Sequence, residues 1–224
     1  MEGKRYFEYG DTEIAFLKAK DAALAKAMEE IGHVYREVIP DLFRALINSM
    51  IGQQISAKAQ KTVWLRFLEM FTPVTPKHIA SLPAEEIQRC GISMKKASYI
   101  RDVAISIVEG SLDLEKLQEM ADADVCKRLS QIKGIGAWTA EMLMIFSLQR
   151  TDVISYGDLG ILRGLRMLYR HREITPQLFE KYKRRYSPYG TVASFYLWQI
   201  SQGACGELLD RAPKAKKKTV SKKG

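Results

Sequence analysis

Cysteine, histidine and long apolar runs are all scarce in this chain, and each scarcity excludes a class of chemistry. The three cysteines, Cys90, Cys126 and Cys205, are odd in number and far apart, so neither a disulfide framework nor a zinc or iron–sulfur ligand spacing can be built from them. They read as buried thiols. The three histidines, His33, His78 and His171, have no second histidine or carboxylate at ligand spacing, which argues against a side-chain metal site. No stretch approaches the roughly 18 uninterrupted apolar residues of a membrane span. Nor does a signal-peptide apolar core follow Met1-Glu2-Gly3-Lys4-Arg5. The expectation is an intracellular protein with no membrane partner, not secreted, working in cytoplasm and nucleoid or in a nucleus.

Acidic residues are missing from one end in particular. Residues 211–224 hold Arg211, Lys214, Lys216, Lys217, Lys218, Lys222 and Lys223 and no acid. Taking those seven from the net charge of +9 leaves the remainder near +2. This stretch reads as a disordered basic tail that adds weak, salt-sensitive phosphate attraction, and it serves equally well as a solubilising extension. Charge alone does not establish nucleic-acid binding.

What the chain does have is helical pattern. At 224 residues and 46% apolar composition, ordinary burial in one large domain or two small lobes is available. Asp21 caps a helix running to Ile31 with Gly32 as its stop, and Pro40-Asp41 opens a second carrying Leu42, Leu46 and Met50. Gly52-Gln53-Gln54-Ile55 interrupts before Ser56 caps a third. Thr75-Pro76 and Pro83 punctuate two short helices, Ser93 caps a longer one to Glu109, and Asp113 to Met120 reads as another. Asp122 opens the helix that delivers Leu129 and Ile132 to a glycine turn. The next helix, Ala137 to Leu148, is apolar nearly all round, the mark of a buried helix. Three more follow, beginning at Leu159, Pro176 and Pro188. Residues 1–20 receive no assignment, although Tyr6-Phe7-Glu8-Tyr9 reads as extended.

Two features carry chemistry. Lys133-Gly134-Ile135-Gly136 lies between two helical patterns, and its glycines let an anion approach backbone N–H groups with no Cβ in the way. The turn precedes a helix N-terminus, where free N–H groups and the dipole favour a phosphate. Asp158 stands at the start of a helix, so its plain role is an N-cap. That position also favours the ionised carboxylate, the form that stabilises a developing cation.

The segment Leu129-x-x-Ile132-Lys133-Gly134-Ile135-Gly136-x-Trp138-Thr139-Ala140, with Gly157-Asp158-Leu159-Gly160-Ile161 downstream, resembles the helix-hairpin-helix DNA glycosylases, specifically the 3-methyladenine DNA glycosylase II branch. The likeness runs from about Leu42 to Gln202. It includes Ile51-Gly52-Gln53-Gln54-Ile55-Ser56 and Tyr186-x-Pro188-Tyr189 with Tyr196-Leu197-Trp198. It implies an all-α, two-lobed helical bundle over residues 21–210 with the active cleft between lobes, acting as a monomer on duplex DNA that contains alkylated bases.

On that resemblance Asp158 is the catalytic residue, facing the sugar of a flipped-out nucleotide. Lys133, Gly134, Ile135 and Gly136 form the DNA-binding hairpin. Gln53, Gln54 and Ile55 match the segment that wedges into the duplex, and Gln54 falls at the inserting position with Ile55 beside it. Strand-cutting members carry a Schiff-base lysine where this chain has Trp138, and a tryptophan cannot form that intermediate. Trp138 instead suits a base pocket, since an aromatic face attracts a cationic, N-alkylated purine. No cofactor is required, but the resemblance implies a Na+ or K+ ion on the backbone carbonyls of Ser130, Ile132 and Ile135. Two departures stand out: Gly190-Thr191 replaces a common arginine-serine pair, and there is no room for the N-terminal α/β lobe of some members. The expected function is hydrolysis of the N-glycosidic bond of alkylated purines, leaving an abasic site. The alternatives are a non-catalytic helix-hairpin-helix module that only binds DNA, and a glycosylase with lyase activity.

Overall fold

The computed structural model describes residues 4–213, and the basic stretch expected to be a disordered tail lies, from residue 214 onward, outside the described residues. The chain begins with β1 (Arg5–Tyr6) and continues through α1 (Asp11–Lys20), α2 (Ala22–Ile31), β2 (Glu37–Val38), α3 (Leu42–Gly52), α4 (Ala57–Phe71), α5 (Pro76–Ser81) and α6 (Ala84–Gln88). It ends with α7 (Met94–Val108), α8 (Asp122–Ser130), α9 (Ala137–Phe146), α10 (Leu159–Tyr169), α11 (Pro176–Tyr186) and α12 (Gly190–Ser201). The fold is helical as expected, with one antiparallel two-residue ladder pairing Arg5 with Val38 and Tyr6 with Glu37. No helix among the described residues is long and apolar enough to cross a membrane.

The chain divides into two compact units: Met1–Glu8 with Tyr35–Gly157, and Tyr9–Val34 with Asp158–Gly224. The first holds the ladder and α3 to α9. Its core is formed by Leu46, Ile47, Met50, Ile51, Phe67, Ile79, Ile87, Ile100, Val125, Leu129 and Ile145. The second holds α1, α2 and α10 to α12 around Leu17, Leu24, Leu165, Tyr186, Phe195, Tyr196, Leu197 and Ile200.

Cap chemistry places most helix starts. Side-chain oxygens of Asp21, Asp41, Ser56, Thr75, Ser93, Asp158 and Thr175 each accept a first-turn N–H, filling one of the donors that a helix leaves unpaired. Three segments differ from expectation. Residues 11–20, left unassigned from the sequence, form α1, which buries only Leu17 and so shows no apolar stripe; the Glu13 carboxylate accepts the Gly10 N–H at 2.8 Å and starts it.

The stretch from Asp113 to Met120 is not a helix. The Asp113 carboxylate takes the N–H groups of Glu115 and Lys116, each at 3.1 Å, a local turn that competes with helical bonding. The Arg150 guanidinium donates to the carbonyls of Leu117, Gln118 and Met120 at 2.9, 2.8 and 3.1 Å, so only a single 3-10 turn, Lys116–Gln118, remains. Finally, α9 ends at Phe146, not Leu148, and its first two residues, Ala137 and Trp138, are exposed while Thr139 and Ala140 are buried.

Within the second unit a polar cluster ties three helices together. Asp21, 4% exposed, caps α2 through Leu24 N–H at 2.9 Å and accepts from Tyr169 Oη at 2.7 Å and Arg185 Nη1 at 2.5 Å. Burial pushes the carboxyl up, but the bonds from Leu24, Tyr169 and Arg185 outweigh it and hold Asp21 below the usual aspartate range. Stability from this cluster is therefore complete above the ordinary carboxyl pKa of about 3.9 and is lost as pH falls through the lower folded value. Asp21→Asn is expected to cost about 2 kcal/mol at pH 7, the scale of a charge-assisted hydrogen bond. Urea unfolding at a series of pH values checks this: the gap between parent and variant closes in acid.

Candidate active site and nucleic-acid interface

In the first unit, α8 and α9 are joined by a turn in which Ile135 N–H donates to the Ile132 carbonyl at 2.9 Å. Gly134 adopts φ +87° there, the left-handed region that turns of this kind reserve for glycine. A Cβ on Gly134 would also lie 2.6 Å from Tyr99 Cδ2 of α7. Gly136 is different. Its φ is −89° and a Cβ would meet nothing within 4 Å, so the fold itself does not demand a glycine. Ile135 is 4% exposed and anchors the turn, whereas Lys133 and Gly136 are open to solvent at the N-terminus of α9.

Those two glycines should respond differently to alanine. Gly134→Ala meets both a strained φ and a clash, and is expected to lose about 2–4 kcal/mol of stability. Gly136→Ala should stay within about 1 kcal/mol of the parent, the Gly-to-Ala difference at an N-cap, yet weaken binding to duplex DNA. Thermal unfolding and DNA titration of both variants make the comparison.

The loop between α3 and α4 separates three residues that the sequence grouped together. Gln53 turns its side chain to the hairpin, and its Nε2 donates to the Gly134 carbonyl at 2.5 Å. Gln54 sits at φ +59° and is exposed, as is Ile55, 40% accessible. The Lys96 ammonium donates to the carbonyls of Ile51 and Gln53 at 2.8 and 2.7 Å.

Trp138, second residue of α9, is 47% exposed and is not a core tryptophan. The backbone of Gly157 passes close by, with its Cβ position 3.7 Å from Trp138 Cβ. Buried Ser155 donates to the Glu141 carboxylate at 2.5 Å, fixing this stretch of chain within the first unit.

In the second unit Asp158 caps α10 and is 8% exposed. Its Oδ1 accepts from Ile161 N–H at 2.9 Å and from the Trp198 indole N–H at 3.0 Å. Both bonds, together with its place at the N-terminus of α10, fix the orientation of the carboxylate. Trp198 reaches Asp158 because α12 lies close on the Gly160 and Gly164 face of α10. Cβ atoms there would stand 2.9 Å from Trp198 Cδ1 and 2.3 Å from the Leu197 carbonyl oxygen. Trp198 received no role from the sequence reading. The signal was present in Gly160-x-x-x-Gly164, since glycines four apart share a helix face and admit a close neighbour.

A glycine hairpin at a helix N-terminus and a buried, helix-capping aspartate are thus both in place. Residues 47–188 match the family model of the HhH-GPD superfamily base excision DNA repair proteins. The chain belongs to that superfamily. Among its relatives, DNA-3-methyladenine glycosylase 1 of Schizosaccharomyces pombe is 33% identical over 165 residues, covering 71% of this chain and 72% of the relative. The crystal structure of the DNA-3-methyladenine glycosidase of Bacillus halodurans superposes with a TM-score of 0.81 at 34% identity, covering 93% of this chain and 96% of that one. The Schizosaccharomyces pombe 3-methyladenine DNA glycosylase in complex with abasic DNA gives a TM-score of 0.74 at 29% identity, covering 86% and 97%. The HhH-GPD match spans α9 and Asp158 alike, so both features lie inside the family region.

Proposed function

We propose that this HhH-GPD protein is a monofunctional DNA glycosylase that removes alkylated, cationic purines from duplex DNA in base excision repair. The observation that carries the reading is Asp158: a buried aspartate whose carboxylate is held in one orientation by an indole N–H and a helix N-terminus. As the N-glycosidic bond breaks, its electron pair leaves with the base and positive charge builds on the sugar. A fixed carboxylate stabilises that charge, orients the water whose oxygen bonds to C1′ and takes the proton that this water gives up. A base already alkylated on nitrogen departs neutral, so no general acid is needed.

The hairpin is assigned to the DNA backbone. Lys133, Gly134, Ile135 and Gly136 present an exposed cation and the first N–H groups of α9 to a phosphate, and the open space at Gly136 allows that approach. Gln54 and Ile55, exposed at the loop tip, are assigned to the gap left by the flipped base. Exposed Trp138 offers its ring face to the cationic base, and it leaves the chain without a lysine nucleophile at that position. A Na+ or K+ ion fits the hairpin. Ser130 ends α8, where terminal carbonyls have no partner within the helix, and the Ile132 carbonyl accepts one bond with a lone pair to spare. Carbonyl oxygens of Ser130, Ile132 and Ile135 would hold the ion, which adds positive charge beside the phosphate site. Such a protein acts where the DNA is, in nucleoid or nucleus.

Product analysis on duplexes carrying 3-methyladenine, 7-methylguanine, hypoxanthine and 1-methyladenine tests the substrate class. Release of the three cationic methylpurines ahead of neutral hypoxanthine is expected. Strand cleavage without added base or heat, or a borohydride-trapped covalent complex, would overturn the monofunctional assignment. Binding without release of any base would leave only a DNA-binding module.

A further inference from the structure

One helix holds both the α3–α4 loop and the hairpin turn. Lys96, at the third position of α7 and partly buried, donates from its ammonium to the carbonyls of Ile51 and Gln53 at 2.8 and 2.7 Å. The Gln53 side chain continues the connection by donating to the Gly134 carbonyl at 2.5 Å. Tyr99, three residues after Lys96, lies against Gly134 from below, close enough to exclude a Cβ there. Lys96 and Tyr99 share a face of α7 through their i, i+3 spacing.

A solvated loop has no need of such an arrangement. A lysine gives up much rotamer freedom when it is fixed, and burial lowers the Lys96 pKa from the ordinary lysine value. The two carbonyl acceptors hold the ammonium against that cost. Between the fixed Gln53 and the start of α4, Gln54 is kept at φ +59°, a conformation that a residue with a Cβ adopts only when its surroundings impose it. The exposed tip, Gln54 and Ile55, is therefore presented at a set distance from the turn that carries Lys133 and Gly136.

We propose that Lys96 and Gln53 are positioning residues that register the Gln54–Ile55 tip on the hairpin turn, so that gripping the backbone and filling the base gap occur as one rigid step. The inference rests on the wedge role given to that tip above. A loop that must be ordered during insertion loses binding energy at that moment, whereas a loop ordered beforehand does not. The clamp therefore acts on the preference for a gapped duplex over an intact one. Phosphate affinity, which depends on the hairpin, is left alone.

The test compares affinities of the full chain for an intact duplex and for the same duplex with an abasic site, at fixed salt. It is run on the parent, Lys96→Met, Lys96→Arg, Gln53→Ala and the double variant Gln54→Ala with Ile55→Ala. Amide hydrogen exchange of residues 53–55 in the DNA-free protein is measured alongside. Lys96→Met and Gln53→Ala are expected to speed that exchange and cut the abasic preference roughly tenfold, the scale of one charge-assisted hydrogen bond. Affinity of Lys96→Met for intact duplex stays within about threefold, because the Lys96 ammonium bonds the loop carbonyls of Ile51 and Gln53 and not the hairpin. Lys96→Arg, which keeps the charge and donors, recovers most of the preference.

An unchanged exchange rate in Lys96→Met would overturn the proposal, and so would a loosened loop with the parent's preference. Equal losses on both duplexes would make Lys96 a simple phosphate-attracting cation and would also overturn it. If the tip double variant keeps the parent's preference, the wedge role itself fails and takes this inference with it. That outcome is distinct because it is seen with the tip variant.

Discussion

Asp158→Asn is expected to lower the rate of base release by about 10²- to 10⁴-fold, the range for removing a preorganised electrostatic or acid–base group, while leaving the fold and the DNA affinity in place. The substitution isolates charge from shape. Asparagine is as good an N-cap as aspartate, so Ile161 N–H keeps its acceptor, and an amide oxygen can still accept from the Trp198 indole. Stability should therefore change by less than about 1 kcal/mol. What disappears is the negative charge that stabilises the developing sugar cation, so the loss falls on kcat rather than on binding. Single-turnover kinetics at saturating enzyme, with a DNA titration alongside, separates the two. A variant that bound DNA poorly or unfolded would point to a purely structural aspartate.

Gly164→Ala is expected to be the most damaging single methyl group in the second unit. The added Cβ would lie 2.3 Å from the Leu197 carbonyl oxygen and 3.0 Å from Leu197 Cα. Those are backbone atoms of α12, so no side-chain rotamer relieves the clash, and the two helices must move apart. Overpacking in a filled core costs about 1–3 kcal/mol, and a backbone collision falls at the upper end. A loss of about 3 kcal/mol corresponds to a fall in Tm of roughly 6–12 °C for a domain of this size. Separation of α10 from α12 also draws Trp198 away from Asp158, since the indole lies over Gly160 one turn earlier on the same face. Base release should then fall by more than the loss of folded protein accounts for. Calorimetry together with activity per folded molecule checks both parts.

How much of this was legible without coordinates depends on the range of the interaction. Capping is local, so Asp21, Ser56 and Ser93 could be read as helix starts from a few residues of context. The glycine hairpin and Asp158 were equally local. The β1–β2 ladder was not, because two-residue strands carry no alternation to detect and pair across thirty residues. The Asp113 turn misled because its acid sits where a cap would, and only the distant Arg150 shows why the helix does not form. In the same way Gln53 and Gln54 are identical side chains in sequence. A bond to Gly134, eighty-one residues away, sends one inward and leaves the other at the tip. Trp198 is forty residues from the carboxylate it supports, and only the packing of α10 on α12 brings them together.

The central claim is that this chain breaks N-glycosidic bonds of alkylated purines in duplex DNA by means of one carboxylate and no covalent intermediate. Incubation with methylated duplex, followed by chromatography of the released material and denaturing electrophoresis of the strand, addresses it in one measurement. The account predicts free 3-methyladenine from the parent, an unbroken strand that cleaves only after alkali, and almost no release from Asp158→Asn. Release from Asp158→Asn at the parent's rate, or no free base from either protein, would contradict it.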